Sequence, residues 1–490
     1  MDSFRLAQLF IKGHSSKLRL HIEAARWVNM AIADTPLLLR CVAEFIGAFL
    51  PFFTVGFNVL SGAAVLGGVS LATTLTVLTY ALAGVSGANF SPAVTLALYL
   101  SKRLGGPGLD ASVAGMYALV QLVGGICCGF CFVNMFADSF RLGPGAGFSW
   151  VDACFCEAMY SCLFCFVVLN TTAARAYSSE GNEFYGMAIG AMALAASYAA
   201  GPVSGGLLNP AITVGVDFAG AGAGFGKSLV YAIFQLLGAG IAAFLFKMVR
   251  PMDFDEPESP RTRLISEIIG TFALVVTVGL SALAKTSMAV VAIAGCLCSL
   301  VYALGDVSGA HFNPAVTVAV LLSGHDADMS PKRAVHYIGS QLLSCVLAGW
   351  CFCLLYNGSS FVLGPGQGFS LTAAAVAEMF FTALLAFVVL GVAVSPKTKS
   401  SQLFGLAIGL CIVVGGSSAG NISGACLNPA VSIGIAASTA GWAATKTALR
   451  YCFFQLLGGS IAGGVVHLLH SEIITVNGHG ETSKLIFGHA

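Results

Sequence analysis

The amino-acid sequence predicts an all-α integral membrane protein, with twelve transmembrane helices and four re-entrant half-helices arranged as two tandem inverted-repeat units. Three observations lead to this fold class. Of the 490 residues, 57% are apolar and only 9% are charged, whereas about 25% of the residues of a soluble domain are charged. Long stretches such as 59–101 and 334–377 contain no Asp, Glu, Lys or Arg, as expected for chain that lies in lipid. The third observation is a fourfold internal repeat.

The composition argues against a water-soluble enzyme and against nucleic-acid binding. The net charge is +1, so nothing indicates a nucleic-acid or acidic partner. The chain has no recognisable nucleophile, catalytic base or nucleotide-binding loop, and we expect neither enzymatic activity nor a cofactor. Nearly all of the 16 cysteines lie inside apolar runs, without the loop placement and His partners that a zinc site needs. We interpret them as small apolar side chains and expect no metal site.

A Glu, a Pro-Ala triplet and a Gln recur four times in the same order, and this repeat predicts the architecture. The four glutamates are Glu44, Glu157, Glu267 and Glu378. The four triplets are Ser91-Pro92-Ala93, Asn209-Pro210-Ala211, Asn313-Pro314-Ala315 and Asn428-Pro429-Ala430. The four glutamines are Gln121, Gln235, Gln341 and Gln455. The interval between the first two glutamines equals that between the last two. The chain therefore consists of two similar halves, and each half consists of two similar quarters.

Each quarter contains three long apolar segments near the roughly 20 residues that cross the hydrocarbon. In the first half the predicted spans are 38–60, 63–84, 111–136, 150–172, 184–202 and 227–249. In the second half they are 263–283, 286–305, 333–356, 372–394, 402–418 and 445–470. Because three is odd, the second quarter of each half enters the membrane inverted relative to the first.

These spans divide the chain into five predicted parts. They are a cytosolic N-terminal segment (1–37), a first unit (38–249), a cytosolic linker (250–262), a second unit (263–470) and a cytosolic C-terminal tail (471–490). With the linker and both termini on one side, only five of the 23 Lys and Arg residues face the other side: Arg141, Lys227, Lys285, Lys446 and Arg450. The positive-inside rule then places both termini of this multi-pass protein in the cytosol.

The Pro-Ala triplets predict four helix starts. Asn or Ser caps the first amides, and Pro at the first helical position loses only a hydrogen that would be unpaired anyway. The predicted helices are Pro92–Ser101, Pro210–Gly220, Pro314–Ser323 and Pro429–Ser438. They are too short to span the bilayer, so we predict half-helices that enter from opposite faces and meet cap to cap at the midplane of each unit. Their positive ends would then repel protons and cations, while loop carbonyls accept hydrogen bonds from a passing solute.

The sequences SGANFSPAVT, SGGLLNPAIT, SGAHFNPAVT and SGACLNPAVS resemble the pore loops of the aquaporin, or major intrinsic protein, family. The resemblance covers both units and implies one pore in each. Since the family typically forms tetramers of one-pore subunits, it also implies that a homodimer of this chain would resemble such a tetramer. In the family, the matching glutamate braces the half-helix loops. We favour that role over a proton relay or ion site, because four symmetric copies suit bracing better than a directional relay.

The same resemblance implies a selectivity filter near the outer mouth, where this chain departs from the pattern. The matching positions are Leu71, Ser197, Gly206 and Ile212 in the first unit, and Ile293, Gly416, Ala425 and Val431 in the second. The arginine that usually follows the second triplet is replaced by Ile212 and Val431, and the aromatic residue is also missing. We therefore predict filters that are wider and less polar than usual. Thr213 and Ser432, where glycerol-conducting relatives usually have Asp, instead resemble the water type.

The primary hypothesis is a passive channel for water and small uncharged solutes such as glycerol, urea or ammonia, with one pore in each unit, that excludes protons and ions. Its predicted partners are the lipid bilayer and the solutes themselves. One alternative is a gradient-coupled secondary transporter, a class that also uses inverted repeats and broken helices. The other is a junctional or scaffolding membrane protein whose pores are vestigial.

Overall fold

The computed structural model describes residues 35–136, 142–175, 183–220, 226–400, 402–439 and 441–469. The predicted C-terminal tail and nearly all of the predicted N-terminal segment lie outside these residues. Within the described ranges every regular element is helical, and no β-strand occurs. The all-α class is therefore confirmed.

Eight helices of ten or more residues lie in the described part of the first unit. They are α1 (Leu37–Leu60), α2 (Gly67–Ser86), α3 (Pro92–Arg103), α4 (Ala111–Phe136), α5 (Trp150–Val168), α6 (Tyr185–Ala199), α7 (Pro210–Ala219) and α8 (Lys227–Val249). The second unit repeats them as α9 (Pro260–Leu283), α10 (Ala289–Ser308), α11 (Pro314–Ser323), α12 (Pro331–Leu355), α13 (Leu371–Val389), α14 (Phe404–Ser423), α15 (Pro429–Thr439) and α16 (Trp442–Leu469). Helix α9 begins inside the segment predicted as linker, because Ser259 caps it and Pro260 is its first residue.

Eleven helices of the described chain are long and apolar enough to cross a membrane. The span predicted at 184–202 differs, because α6 has 15 residues and a separate turn, Gly201–Ser204, follows it. Pro202 lies in that turn and cannot donate a backbone hydrogen bond. Eleven of the twelve predicted crossings therefore correspond to helices of sufficient length, and the twelfth crossing stays a prediction.

The four short helices α3, α7, α11 and α15 begin at the prolines of the four triplets. Their lengths are 12, 10, 10 and 11 residues, about half of what a bilayer span requires. Backbone can end at membrane depth only where protein or a water-filled cavity satisfies its polar groups. The long helices surround these short ones and supply that environment.

The two units pack through α5 and α6 on one side and α9 and α10 on the other. Tyr160 Oη lies 3.0 Å from Thr277 Oγ1, and Ser299 Oγ donates to the Ala188 carbonyl at 2.7 Å. At one end of this contact, Arg250 forms a bidentate ion pair with Asp306, with N–O distances of 2.7 and 2.8 Å. Arg250 Nε also donates to Asn170 Oδ1 at 2.7 Å. The end of the first unit is therefore held against α10 of the second by directional bonds.

The linker side chains are anchored as well. Asp255 pairs with Arg175 at 2.8 Å, and the hydrogen bond from that guanidinium keeps the pKa of Asp255 below its ordinary value. Asp253 is buried, and burial raises its pKa although the Arg175 amide donates to it. These contacts hold the linker against Arg175 of the first unit.

Candidate functional site

The half-helices meet at their N-termini in each unit. Each cap side chain accepts a hydrogen bond from the amide nitrogen two residues further on, at 3.2 Å for Ser91, 2.9 Å for Asn209, 2.8 Å for Asn313 and 2.9 Å for Asn428. In the second unit the two caps also bond across the junction. Asn313 Nδ2 donates to the Leu427 carbonyl and Asn428 Nδ2 to the Phe312 carbonyl, both at 2.9 Å. Each amide therefore uses one of its two hydrogens to join the two loops across the junction.

The first unit has one of these two hydrogen bonds across its junction. Asn209 Nδ2 donates to the Phe90 carbonyl at 3.0 Å. Ser91 caps α3 through its oxygen, but its single hydroxyl cannot reproduce the amide that would reach Leu208 from the other side. The two junctions of this chain therefore differ in their hydrogen-bonding capacity.

The loops that lead into the half-helices follow an unusual backbone path. In the second unit Ala310 and Phe312 have φ of 50° and 49°, and Ala425 and Leu427 have φ of 48° and 52°. Side-chain-bearing residues rarely adopt this left-handed conformation, and each instance costs on the order of 1–3 kcal/mol. Such a backbone conformation persists only where neighbouring groups stabilise it. Here the backbone amides of Phe312 and Leu427 each donate a hydrogen bond to a buried glutamate.

A buried glutamate accepts four hydrogen bonds at each loop. Glu267 Oε1 accepts from Ser308 Oγ at 2.8 Å and from the His311 amide at 3.0 Å. Its Oε2 accepts from the Phe312 amide and from Gln341 Nε2, both at 2.8 Å. Glu44, Glu157 and Glu378 have the same four kinds of donor at 2.6–3.0 Å. All four carboxylates have no exposed surface, so these bonds replace water completely.

Sequence reasoning missed a fourth member of this cluster. A buried tyrosine hydroxyl donates to the carbonyl of the loop serine in every quarter, at 2.8–2.9 Å. These tyrosines are Tyr117, Tyr231, Tyr337 and Tyr451. Each precedes the repeated glutamine by one turn of the same helix, and this constant spacing was the signal that could have revealed them.

A cavity of about 270 Å³ lies on one side of the junction in the second unit. All four predicted filter residues of this unit, Ile293, Gly416, Ala425 and Val431, line it, together with Asn313 and Asn428. Most of the remaining wall is aliphatic, with side chains such as Leu274, Val278, Leu385 and Ile412. Among the described residues, no Arg, Lys, Asp or Glu lines this cavity. The space is therefore large enough for a small organic molecule and has an apolar wall interrupted by polar groups at its inner end.

The four predicted filter residues of the first unit occupy the matching elements. Leu71 lies in α2, Ser197 in α6, Gly206 in the loop before α7, and Ile212 in the first turn of α7. Ile212 packs in a cluster that includes the phenylalanine rings of α1 and α4. The neighbours of Ile212 are thus aromatic, whereas Val431 faces the apolar cavity.

A second cavity of about 570 Å³ lies on the opposite side of the second-unit junction, and it is charged. Its lining includes Arg263, Asp306, Arg333 and Lys399. Asp328, in the loop after α11, lies 3.3 Å from Arg263 and 3.5 Å from Arg333. The hydrogen bond from Arg263, together with the charge of Arg333, lowers the pKa of Asp328. The two sides of the junction therefore have opposite character, apolar on one and ionic on the other.

Comparison with known proteins agrees with this geometry. The Major intrinsic protein family model matches residues 32–147, 145–289, 263–444 and 406–487. Aquaporin TIP4-2 of Zea mays is 33% identical over 251 residues, which are 47% of this chain and 94% of that protein. Glycerol uptake facilitator protein-like 6 of Lactiplantibacillus plantarum is 31% identical over 223 residues, 44% of this chain and 99% of that protein. Aquaporin Z of Photorhabdus laumondii is 29% identical over 233 residues, 43% of this chain and 98% of that protein.

These relatives are matched over nearly their whole length by less than half of this chain, and the family model matches along all of the helical region. The repeated glutamates, triplets and glutamines account for that pattern. The chain therefore belongs to the major intrinsic protein family and carries the family's pattern in tandem.

Proposed function

We propose that this protein is a passive membrane channel for water and small uncharged solutes, with one pore in each unit, and that it excludes protons and other ions. The observation that carries the proposal is the second-unit cavity, which reaches both cap asparagines from the predicted filter. Relatives named as aquaporins and as a glycerol uptake facilitator support the same class. A conduit of this kind does no chemistry on its solute, so the proposal includes neither an enzyme activity nor a cofactor.

The roles of the site residues follow from their contacts. We propose that Glu44, Glu157, Glu267 and Glu378 hold the left-handed loops, so that the loop carbonyls face the solute. The cap side chains present hydrogens at the junction, and the half-helix ends add positive potential that repels cations. Glycerol, urea or ammonia fits the second-unit filter better than an ion does, because an unpaired charge pays a large desolvation penalty in an aliphatic cavity.

Stopped-flow light scattering on proteoliposomes tests the function. A channel produces rapid volume change in osmotic and solute gradients, at a rate independent of Na⁺ or pH gradients. Dependence on either gradient would instead identify a coupled transporter. If the rate of volume change equals that of protein-free liposomes for water and for every solute, the protein is not a channel and the scaffolding alternative is favoured.

We further propose a homodimer with four pores and cytosolic termini. Within the described part of one chain, α5 and α6 pack against α9 and α10, and the matching helices α13, α14, α1 and α2 have no such neighbour. Large apolar side chains are exposed there, including Val77, Phe380 and Leu410, whose side chains are 57%, 61% and 49% exposed. A second copy would cover both faces by repeating the internal packing around a twofold axis. Light scattering in detergent should give the mass of two chains, and a monomer would contradict the dimer.

Replacing Asn313 and Asn428 by Asp should raise the proton leak of the second pore. Asp can still cap the helix, but it loses the hydrogen donated across the junction and adds negative charge where the half-helix ends provide positive potential. A pH-sensitive dye trapped in proteoliposomes measures the leak. Ser91→Asn is the matched control, because it adds an amide to the first junction and should leave the leak at background. If the wild type, the double Asp variant and Ser91→Asn leak protons at the same rate, the cap residues do not form the barrier to protons.

A further inference from the structure

The two cavities of the second unit share one polar residue. Among the residues that the structure describes, only His311 and Val389 border both the apolar cavity and the charged cavity, and we call this pair the neck. Val168 holds the position of Val389 in the first unit, whereas Asn89 holds the position of His311. The chemical difference between the two necks therefore lies at this one position.

The hydrogen bonds around His311 determine which ring nitrogen carries the proton. His311 Nδ1 lies 3.1 Å from Thr317 Oγ1. The Thr317 hydroxyl donates its only hydrogen to the Asn313 carbonyl at 3.1 Å, since a carbonyl can only accept. Thr317 Oγ1 also accepts from Gln341 Nε2 at 3.1 Å. With the Thr317 hydrogen on the Asn313 carbonyl, Nδ1 is the donor in its contact with Thr317, and Nε2 of the neutral ring is a bare acceptor.

The Nε2 edge of the ring lies beside a glycine, and a side chain at that glycine would crowd it. It lies over Gly309, where an added Cβ would come within 3.1 Å of Nε2 and 3.2 Å of Cδ2. Gly309 itself lines the charged cavity. The ring plane is held by an edge-to-face contact with Tyr337, at 5.3 Å between centroids. The imidazole is thus fixed at Nδ1 and by Tyr337, with its acceptor edge beside the conduit.

The first-unit neck has a different hydrogen-bonding group. Asn89 is 6% exposed, and its Nδ2 has no hydrogen-bond partner among the residues that the structure describes. Thr95, which corresponds to Thr317, accepts from Gln121 Nε2 as Thr317 accepts from Gln341 Nε2, and its own hydroxyl donates to Gln121 Oε1 at 3.2 Å. The surroundings of position 89 therefore already contain the partner that an imidazole would need.

We propose that His311 is a specificity-determining residue of the second pore, which selects neutral solutes that carry N–H or O–H donors over solutes of equal size that carry none. A solute leaving the aliphatic cavity has lost most of its water, and a donor can recover a hydrogen bond at Nε2 as it passes the neck. A solute with acceptors only finds no such compensation there. The inference rests on the proposed channel function and adds a solute class and an asymmetry between the two pores.

Three isomeric amides test the proposal: propionamide, N-methylacetamide and N,N-dimethylformamide have the same formula but two, one and no N–H hydrogens. Their permeabilities are measured at pH 8, above the ordinary histidine pKa of about 6.5, with the protein-free rate subtracted. We expect the ratio of propionamide to N,N-dimethylformamide permeability to fall in the order Asn89→His, wild type, His311→Asn. The extremes should differ by about fivefold, the factor that one neutral hydrogen bond contributes. The double exchange should return the wild-type ratio.

His311→Phe separates ring size from hydrogen bonding, because it keeps a ring and removes the acceptor. We expect its ratio to be lower than that of His311→Asn, because asparagine keeps an amide oxygen that can accept a hydrogen bond, and a ratio equal to the wild type would overturn the proposal. An unchanged ratio in Asn89→His and His311→Asn would do the same while the channel function stood, because wild-type water and amide flux reports on that function separately. If His311→Asn does not fold, Asn89→His and His311→Phe still decide the question.

Discussion

Glu267→Ala should strongly destabilise the protein. The change removes the one acceptor shared by the Ser308 hydroxyl, two loop amides and Gln341 Nε2, in a site without exposed surface. Each buried donor left unpaired costs about 1–3 kcal/mol, so we expect the loss of four hydrogen bonds to cost several kcal/mol in total. The left-handed residues Ala310 and Phe312 would lose the contacts that hold them.

Thermal unfolding of the detergent-solubilised protein, followed by tryptophan fluorescence, measures this loss. Glu258→Ala is the matched control, because Glu258 is an exposed linker carboxylate at 3.5 Å from Arg263. Exposed ion pairs contribute at most about 1 kcal/mol, so this variant should unfold close to the wild type. Equal midpoints for Glu267→Ala and the control would refute the bracing role of the buried glutamates.

Val431→Arg should reduce the permeability of the second pore to solutes larger than water by about tenfold, and water permeability much less. Val431 is 3% exposed and lines the aliphatic cavity next to the cap Asn428. An arginine there would fill part of the roughly 270 Å³ space and draw water towards its guanidinium, because an unpaired charge is costly in an apolar cavity. The filter would become narrower and more polar.

Stopped-flow measurement of water, urea and glycerol permeability in proteoliposomes ranks the effect. Val431→Leu is the control, since it adds bulk without charge and should change the ranking little. Ile212→Arg makes the same replacement in the first unit. In each single variant the unchanged pore still contributes to the flux, and the double variant Ile212→Arg/Val431→Arg removes that contribution. If the solute ranking of the double variant equals that of the wild type, the filter has been assigned to the wrong residues.

Much of the fold was predictable because its signals are local. A capping side chain followed by proline defines a helix start within three residues, and α3, α7, α11 and α15 all begin at the expected proline. Apolar length likewise predicted eleven long helices to within a few residues. The exception is α6, where Gly201 and Pro202 divide a continuous apolar stretch. Hydropathy averages over such a break and cannot detect it.

The candidate site was predictable only in part, because its groups are distant in sequence. Repetition singled out the glutamates and glutamines, but not that Glu267 also binds Ser308, or that Tyr337 supports the same serine through its carbonyl. His311 bonds to Thr317 and borders both cavities of the second unit, and no sequence pattern reveals that position.

The sequence by itself determined that this protein lies in lipid, that its architecture is fourfold, and where its half-helices begin, since hydropathy, repetition and capping act between residues close along the chain. Only the tertiary structure decided that Asn313 bonds to Leu427, that Arg250 joins the units through Asp306, and that one cavity of the second unit is aliphatic and the other ionic. Those features depend on distances between separate helices. Helix packing sets these distances, and they cannot be read from the spacing of residues along the chain.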